Sequence, residues 1–131
     1  MTRIATLILA VAVVLALATV GCGGTSPSSS GVDGSRQVSS LSTSEKTSMC
    51  TWFAGLVGGY GTMPSCSMAV ISAPDSEADC LSTFPSCAVT VATFQTCVNS
   101  LISAQMTCTT QALQSAEVTA ACQTVGEAGC F

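Results

Sequence analysis

Eight of this chain's nine cysteines fall between Cys50 and Cys130, and nothing else in its 131 residues constrains the fold as much. They are Cys50, Cys66, Cys80, Cys87, Cys97, Cys108, Cys122 and Cys130, at successive spacings of 16, 14, 7, 10, 11, 14 and 8. No two lie as close as C-x-x-C, which disfavours a cysteine-only metal site and favours disulfides. A domain spanning residues 42–131 buries only a marginal core by itself. Disulfides change that, since closing a loop of about 15 residues contributes on the order of 3 kcal/mol in the chain-entropy model. Four bridges among the eight are expected. They can pair in roughly a hundred ways, and spacing does not choose among them.

The ninth, Cys22, stands in a different setting. Arg3 opens a run of 17 uncharged residues, 4–20, rich in Leu, Val and Ala, and Gly21 precedes the cysteine. A positive start, an apolar stretch and a small residue make residues 1–21 a signal peptide. As a spanning helix the run is at the short limit, and no charged stop follows it. Ala18-Thr19-Val20-Gly21-Cys22 resembles the lipobox of bacterial lipoproteins, whose cysteine becomes the lipidated first residue. The third residue before that cysteine is usually Leu and here is Thr19. Cysteine parity agrees with lipidation, because acylating Cys22 leaves an even eight. The alternative is ordinary cleavage after Ala16-Leu17-Ala18, which starts the chain near Thr19 and leaves Cys22 a free thiol. By resemblance to lipoprotein sorting in Gram-negative bacteria, Gly23 after the cysteine implies the outer membrane.

Residues 22–41 read as the lipidated cysteine and a tether. Residues 23–41 are Ser/Gly-rich with few bulky apolar side chains, too few to bury a core. As a random coil this length spans about 24 Å. The aromatic residues Trp52, Phe53, Tyr60, Phe84, Phe94 and Phe131 all lie beyond it.

Within 42–131 the patterning predicts a mostly α, disulfide-stapled domain with long loops. Ser42-x-x-Glu45 is a capping box, and Met49, Trp52, Phe53, Leu56 and Val57 follow at helical spacing. Gly58-Gly-Tyr-Gly61 ends that helix. Ser72-x-x-Asp75 or Ser76-x-x-Asp79 starts a short helix reaching about Thr83, before Pro85. Val91, Phe94, Val98, Leu101 and Ile102 mark a third helix of about a dozen residues. A last helix is predicted over residues 115–123, with Val118, Ala121 and Cys122 facing inward. Cys66-Ser-Met-Ala-Val70 and Cys87-Ala-Val-Thr-Val91 share a composition that suits a minimal two-stranded β ribbon.

Composition excludes several functions. Charged residues are 8% of the chain, against about 25% in an average domain. Polarity comes from 19 Ser and 17 Thr. The bases are Arg3, Arg36 and Lys46 against seven acids, and losing Arg3 with the signal peptide leaves a net charge of −5. Nucleic-acid binding lacks the cations to neutralise phosphates. The chain has no His, which removes Ser-His and Cys-His nucleophiles and His-ligated zinc. Asp75-Ser-Glu77-Ala-Asp79 has the alternation of a calcium loop, but its sixth position is Cys80 and its twelfth Ser86, not Gly and Glu. Those acids instead suit the positive end of a helix. A carboxylate-dependent hydrolase would have to draw on them or on Glu117. Gly58-Gly-Tyr-Gly61 closes a helix and has no following Lys, so it is no phosphate loop. Trp52 and Phe53 read as core. No catalytic residue, metal site or cofactor emerges.

The Cys22 box, Cys50-Thr-Trp52, Gly58-Gly-Tyr-Gly61 and Cys87-Ala-Val-Thr-Val91 leading to Cys97 together resemble small cysteine-rich lipoproteins of myxobacteria-like genomes. The resemblance implies an envelope location and no chemistry. Plant lipid-transfer proteins carry Cys-Cys and Cys-x-Cys pairs, and neither occurs here. The expectation is therefore a lipid-anchored envelope protein with a structural or interaction role and no enzymatic activity. The alternative is a carrier of a small apolar ligand, which requires a cavity lined by residues such as Val91, Phe94, Val98 and Leu101. A secreted carboxylate enzyme ranks last.

Overall fold

The computed structural model describes residues 29–63, 65–66, 71–117 and 119–131. The predicted signal segment, Cys22 and the first part of the predicted tether lie outside the described residues. A 3-10 turn, Val38–Ser40, precedes five helices: α1 (Thr43–Leu56), α2 (Glu77–Ser82), α3 (Val91–Met106), α4 (Thr110–Glu117) and α5 (Ala120–Glu127). The fold is thus mostly α, and the one β feature among the described residues is an antiparallel bridge between Gln37 and Thr90.

The abundant Ser and Thr do local work. Every one of these helices opens on a hydroxyl that accepts a backbone N–H three residues on: Ser42 from Glu45, Ser76 from Asp79, Thr90 from Thr93, Thr109 from Ala112 and Thr119 from Cys122. Each such cap satisfies a donor that the helix itself cannot, and is worth about 1 kcal/mol. At α1 the box is complete, since Glu45 accepts from the Ser42 N–H at 2.8 Å and the Ser42 hydroxyl at 2.7 Å. These bonds, backbone first, hold the Glu45 carboxyl below its usual range; bonds from Ser35 do the same for Asp33. A depressed folded-state pKa stabilises above the unfolded-state value and is lost as pH falls through the folded one. The melting temperature is therefore expected to hold from neutrality to the ordinary carboxylate range and to drop below it. Glu45→Gln should show a smaller acid drop in thermal melts; an identical acid limb would contradict the assignment.

Helix α1 stops as its glycines predict. Gly58 and Gly59 have φ of +93° and +116°, and the Gly59 N–H reaches back to the Ala54 carbonyl at 2.7 Å. That closure needs the left-handed region, where a side chain is strained. Of the two starts open to the second helix, the fold uses Ser76. Helix α3 runs 16 residues, longer than its apolar stripe suggests.

Three expectations are corrected. The single helix predicted over 115–123 is two, because Thr119 takes an extended backbone and caps α5. Cys122 is buried there and Ala121 packs against the core, while Val118 lies outside the described residues.

The tether ends earlier than residue 41. Val38 is fully buried and Leu41 nearly so, and Gln95 on α3 donates to the Ser30 hydroxyl at 2.6 Å. The Arg36 and Gly34 carbonyls accept the Val91 and Ala92 N–H groups at 2.8 and 3.0 Å. Those are the first two donors of α3, which no intrahelical carbonyl can reach. Gly34 permits the approach, since a Cβ there would stand 3.1 Å from the Ala92 Cβ.

The segment before α3 does pair in extended fashion, but with the supposed tether. The Val38 N–H donates to the Val89 carbonyl and the Ser39 N–H to the Cys87 carbonyl, at 2.9 and 3.0 Å. The other half of the predicted ribbon, residues 67–70, lies outside the described residues.

The core gathers on α3. Val91, Phe94, Cys97, Val98, Leu101 and Ile102 meet Val38 and Leu41, Met49 and Trp52 of α1, Leu113 of α4 and Val125 of α5. Helix α3 packs against α4 and α5, and α1 packs against α2.

Candidate functional site

Among the described residues, three disulfides fasten these elements. Cys50–Cys80 joins α1 to α2, Cys97–Cys122 joins α3 to α5, and Cys87–Cys130 ties the approach to α3 to the segment after α5. Four bridges were expected, and the fourth is not closed. Cys66 and Cys108 are thiols near one another. The neighbouring Cys66 raises the Cys108 thiol above its ordinary value.

Two of the staples, through Cys80 and Cys130, also line an open cleft of about 530 Å³. Its floor is Met49 and Trp52 from α1 and Phe94 and Val98 from α3, all buried. Phe53, Phe84 and Phe131 extend the aromatic wall. The rim is polar, made of Ser72, Asp75, Asp79 and Thr83, all exposed. An apolar floor beneath a short polar rim suits a molecule with an apolar body and one polar end. Lys46 sits 5.7 Å from the centre of the Phe84 ring. Phe131 is 72% exposed, and its ring lies 6.2 Å from that of Phe94.

The Trp52 indole N–H is buried and has no hydrogen-bond partner among the described residues. The Tyr60 hydroxyl, away from the cleft, is a second such orphan; buried groups without a partner are rare in folded proteins. Trp52 is therefore both core, as its pattern predicts, and cleft wall.

Of the four residues expected to line a carrier cavity, Phe94 and Val98 do so here. Val91 is sealed in the core, and Leu101 faces a separate depression of about 250 Å³ shared with Glu117. Sequence reasoning missed Phe84 and Phe131 as wall residues. Both are aromatics near a disulfide cysteine, Cys87 and Cys130, which is the signal that could have found them.

The acidic cluster splits between roles. Glu77 and Asp79 occupy the first turn of α2, as the helix-end reading expects. Asp79 also accepts from the Asp75 N–H at 3.3 Å. Glu117 lies on α4 and shares no described depression with these acids. No three His, Cys, Asp or Glu among the described residues are placed to hold a metal ion. No helix there is long and apolar enough to cross a membrane.

The chain matches no family model, no curated protein and no solved structure.

Proposed function

We propose that the chain is an exported, lipid-anchored envelope protein whose domain holds a small, mostly apolar ligand in the aromatic cleft. Within the broader expectation of an interaction protein, one observation favours this form: a cleft of about 530 Å³ in so small a domain. That volume falls inside the range of roughly 300–1,000 Å³ usual for ligand sites. The acidic chain, with Asp75 and Asp79 at the rim, disfavours an anionic ligand. Export is supported by the apolar run before Cys22 and by disulfides, which persist in oxidising compartments.

Nile red, an uncharged apolar dye, tests the cleft. Wild-type protein is expected to bind it saturably with enhanced emission. Ser72→Phe places a ring at the exposed rim and should weaken binding at least tenfold while leaving the melting temperature unchanged. Equal affinity in a folded Ser72→Phe variant would sink the proposal. The anchor is tested separately, by Cys22→Ala, which should move the protein from the membrane fraction to the soluble one. Retention in the membrane would refute lipidation at Cys22.

A further inference from the structure

The fold brings together the two described cysteines that its disulfides leave over. Cys66, 7% exposed, lines a depression of about 330 Å³ with Gln105 and Met106 at the end of α3. Cys108 follows that helix, and its N–H donates to the Gln105 carbonyl at 3.1 Å. Both cysteines therefore lie beside Gln105, at the same end of α3.

Cys108 is also the one described non-glycine residue with positive φ, at +51°. It stands just past the C-cap Thr107, where glycine is the usual occupant because a side chain is strained there. The fold thus holds a thiol at a position that disfavours any side chain, a pattern associated with functional positions.

Gln105, 8% exposed, clamps Ile71 through both backbone groups: the Ile71 N–H donates to Oε1 at 3.0 Å, and Nε2 donates to the Ile71 carbonyl at 2.8 Å. Ile71 and residues 72–75 form one wall of the aromatic cleft. A bond between Cys66 and Cys108 would fix the same stretch to α3 a second time, five residues ahead of Ile71.

We propose that Cys66 and Cys108 form a thiol–disulfide exchange site, separate from the three structural bridges, which takes an external disulfide and closes a fourth bridge beside the cleft wall. Cys108 is exposed, whereas Cys66 is buried, so Cys108 meets the reagent first. Its thiol gives a proton to water, and the thiolate attacks one sulfur of the external disulfide. The disulfide's other sulfur leaves and is protonated to a thiol. Cys66 then loses its proton and attacks the Cys108 sulfur, expelling the second thiol. The two protein thiols are oxidised to one disulfide, and the external disulfide is reduced to two thiols. Access also makes this the first bridge to reopen, because Cys108 is exposed, whereas the six bridged cysteines are buried apart from the half-buried Cys80.

The pairing rests on the two cysteines alone, and only its effect on the cleft rests on the binding reading. The test uses the processed protein with its three bridges intact, alkylated and peptide-mapped before and after excess oxidised glutathione. The expected starting pattern is alkylation at Cys66 and Cys108 only. After glutathione, both should resist alkylation and a Cys66–Cys108 linked peptide should appear. Cys66→Ser should stop at a stable glutathione adduct on Cys108, and Cys108→Ser should leave Cys66 unmodified. Two persistent thiols, separate adducts on both cysteines, or a link from either to one of the other six would overturn the proposal. With the bridge closed, Nile red release should slow several-fold. Unchanged release would overturn the coupling to the cleft, while absence of dye binding in both states would be a failure of the binding reading instead.

Discussion

A chain beginning at Ser42 is expected not to fold. That start removes the residues that read as tether, and with them Val38 and Leu41, both buried in the core. Burying side chains of this size contributes about 1.5–3 kcal/mol each. It also removes four backbone hydrogen bonds to residues 87–92: those of Val38 and Ser39 as donors and of Arg36 and Gly34 as acceptors. Each contributes about 1 kcal/mol net, and two of them satisfy the leading N–H groups of α3. The combined loss, about 7–10 kcal/mol, compares with the roughly 5–15 kcal/mol that holds an ordinary domain together. Circular dichroism should show little cooperative melting for the chain starting at Ser42. A chain starting at Ser29 should melt like the full protein. If both melt alike, residues 29–41 are not part of the domain.

The second large effect concerns the staple between α3 and α5. Cys97 is fully buried, and its bond to Cys122 closes a separation of 25 residues. In the chain-entropy model a loop of that size contributes about 3.5 kcal/mol. Replacing both cysteines by alanine should therefore cost about that much in urea unfolding. Cys50–Cys80 and Cys87–Cys130 close longer separations, 30 and 43, and each should cost slightly more. Full reduction is expected to abolish the folded state at ordinary temperature. A melt unchanged by strong reductant would show that the core alone suffices.

Local signals in this chain were legible where the chemistry is local. Ser42-x-x-Glu45 and Gly58-Gly59 announce both ends of α1 because each acts within a few residues of backbone. Helix α3 is legible from its apolar period. The helical class followed from such features. Residues 29–41 were misread because two or three apolar side chains in a Ser/Gly-rich run carry no compositional weight. Their stability comes from pairing with residues 87–92, some fifty positions away. The break between α4 and α5 was missed for a similar reason, since Thr119 reads as an ordinary helix residue until it is seen to cap. Disulfide pairing was not legible at all, being a property of the folded chain. The cleft was half legible: Phe94 and Val98 lie on the predicted stripe, but Phe84 and Phe131 reach it only through the folding of their loops.

The central claim is that the cleft beside Trp52 is a binding site, and the protein carries its own reporter. Trp52 is the one tryptophan in the chain, so its indole N–H gives a single resonance in a proton–nitrogen spectrum. The measurement is a titration with 1-naphthol, an apolar bicyclic molecule with one polar end, which suits an apolar cleft with a polar rim lined by Trp52. A saturable shift of the Trp52 resonance, absent in Ser72→Phe, is the predicted result. An unmoved indole resonance at saturating probe, in a protein whose backbone signals confirm the fold, would contradict it.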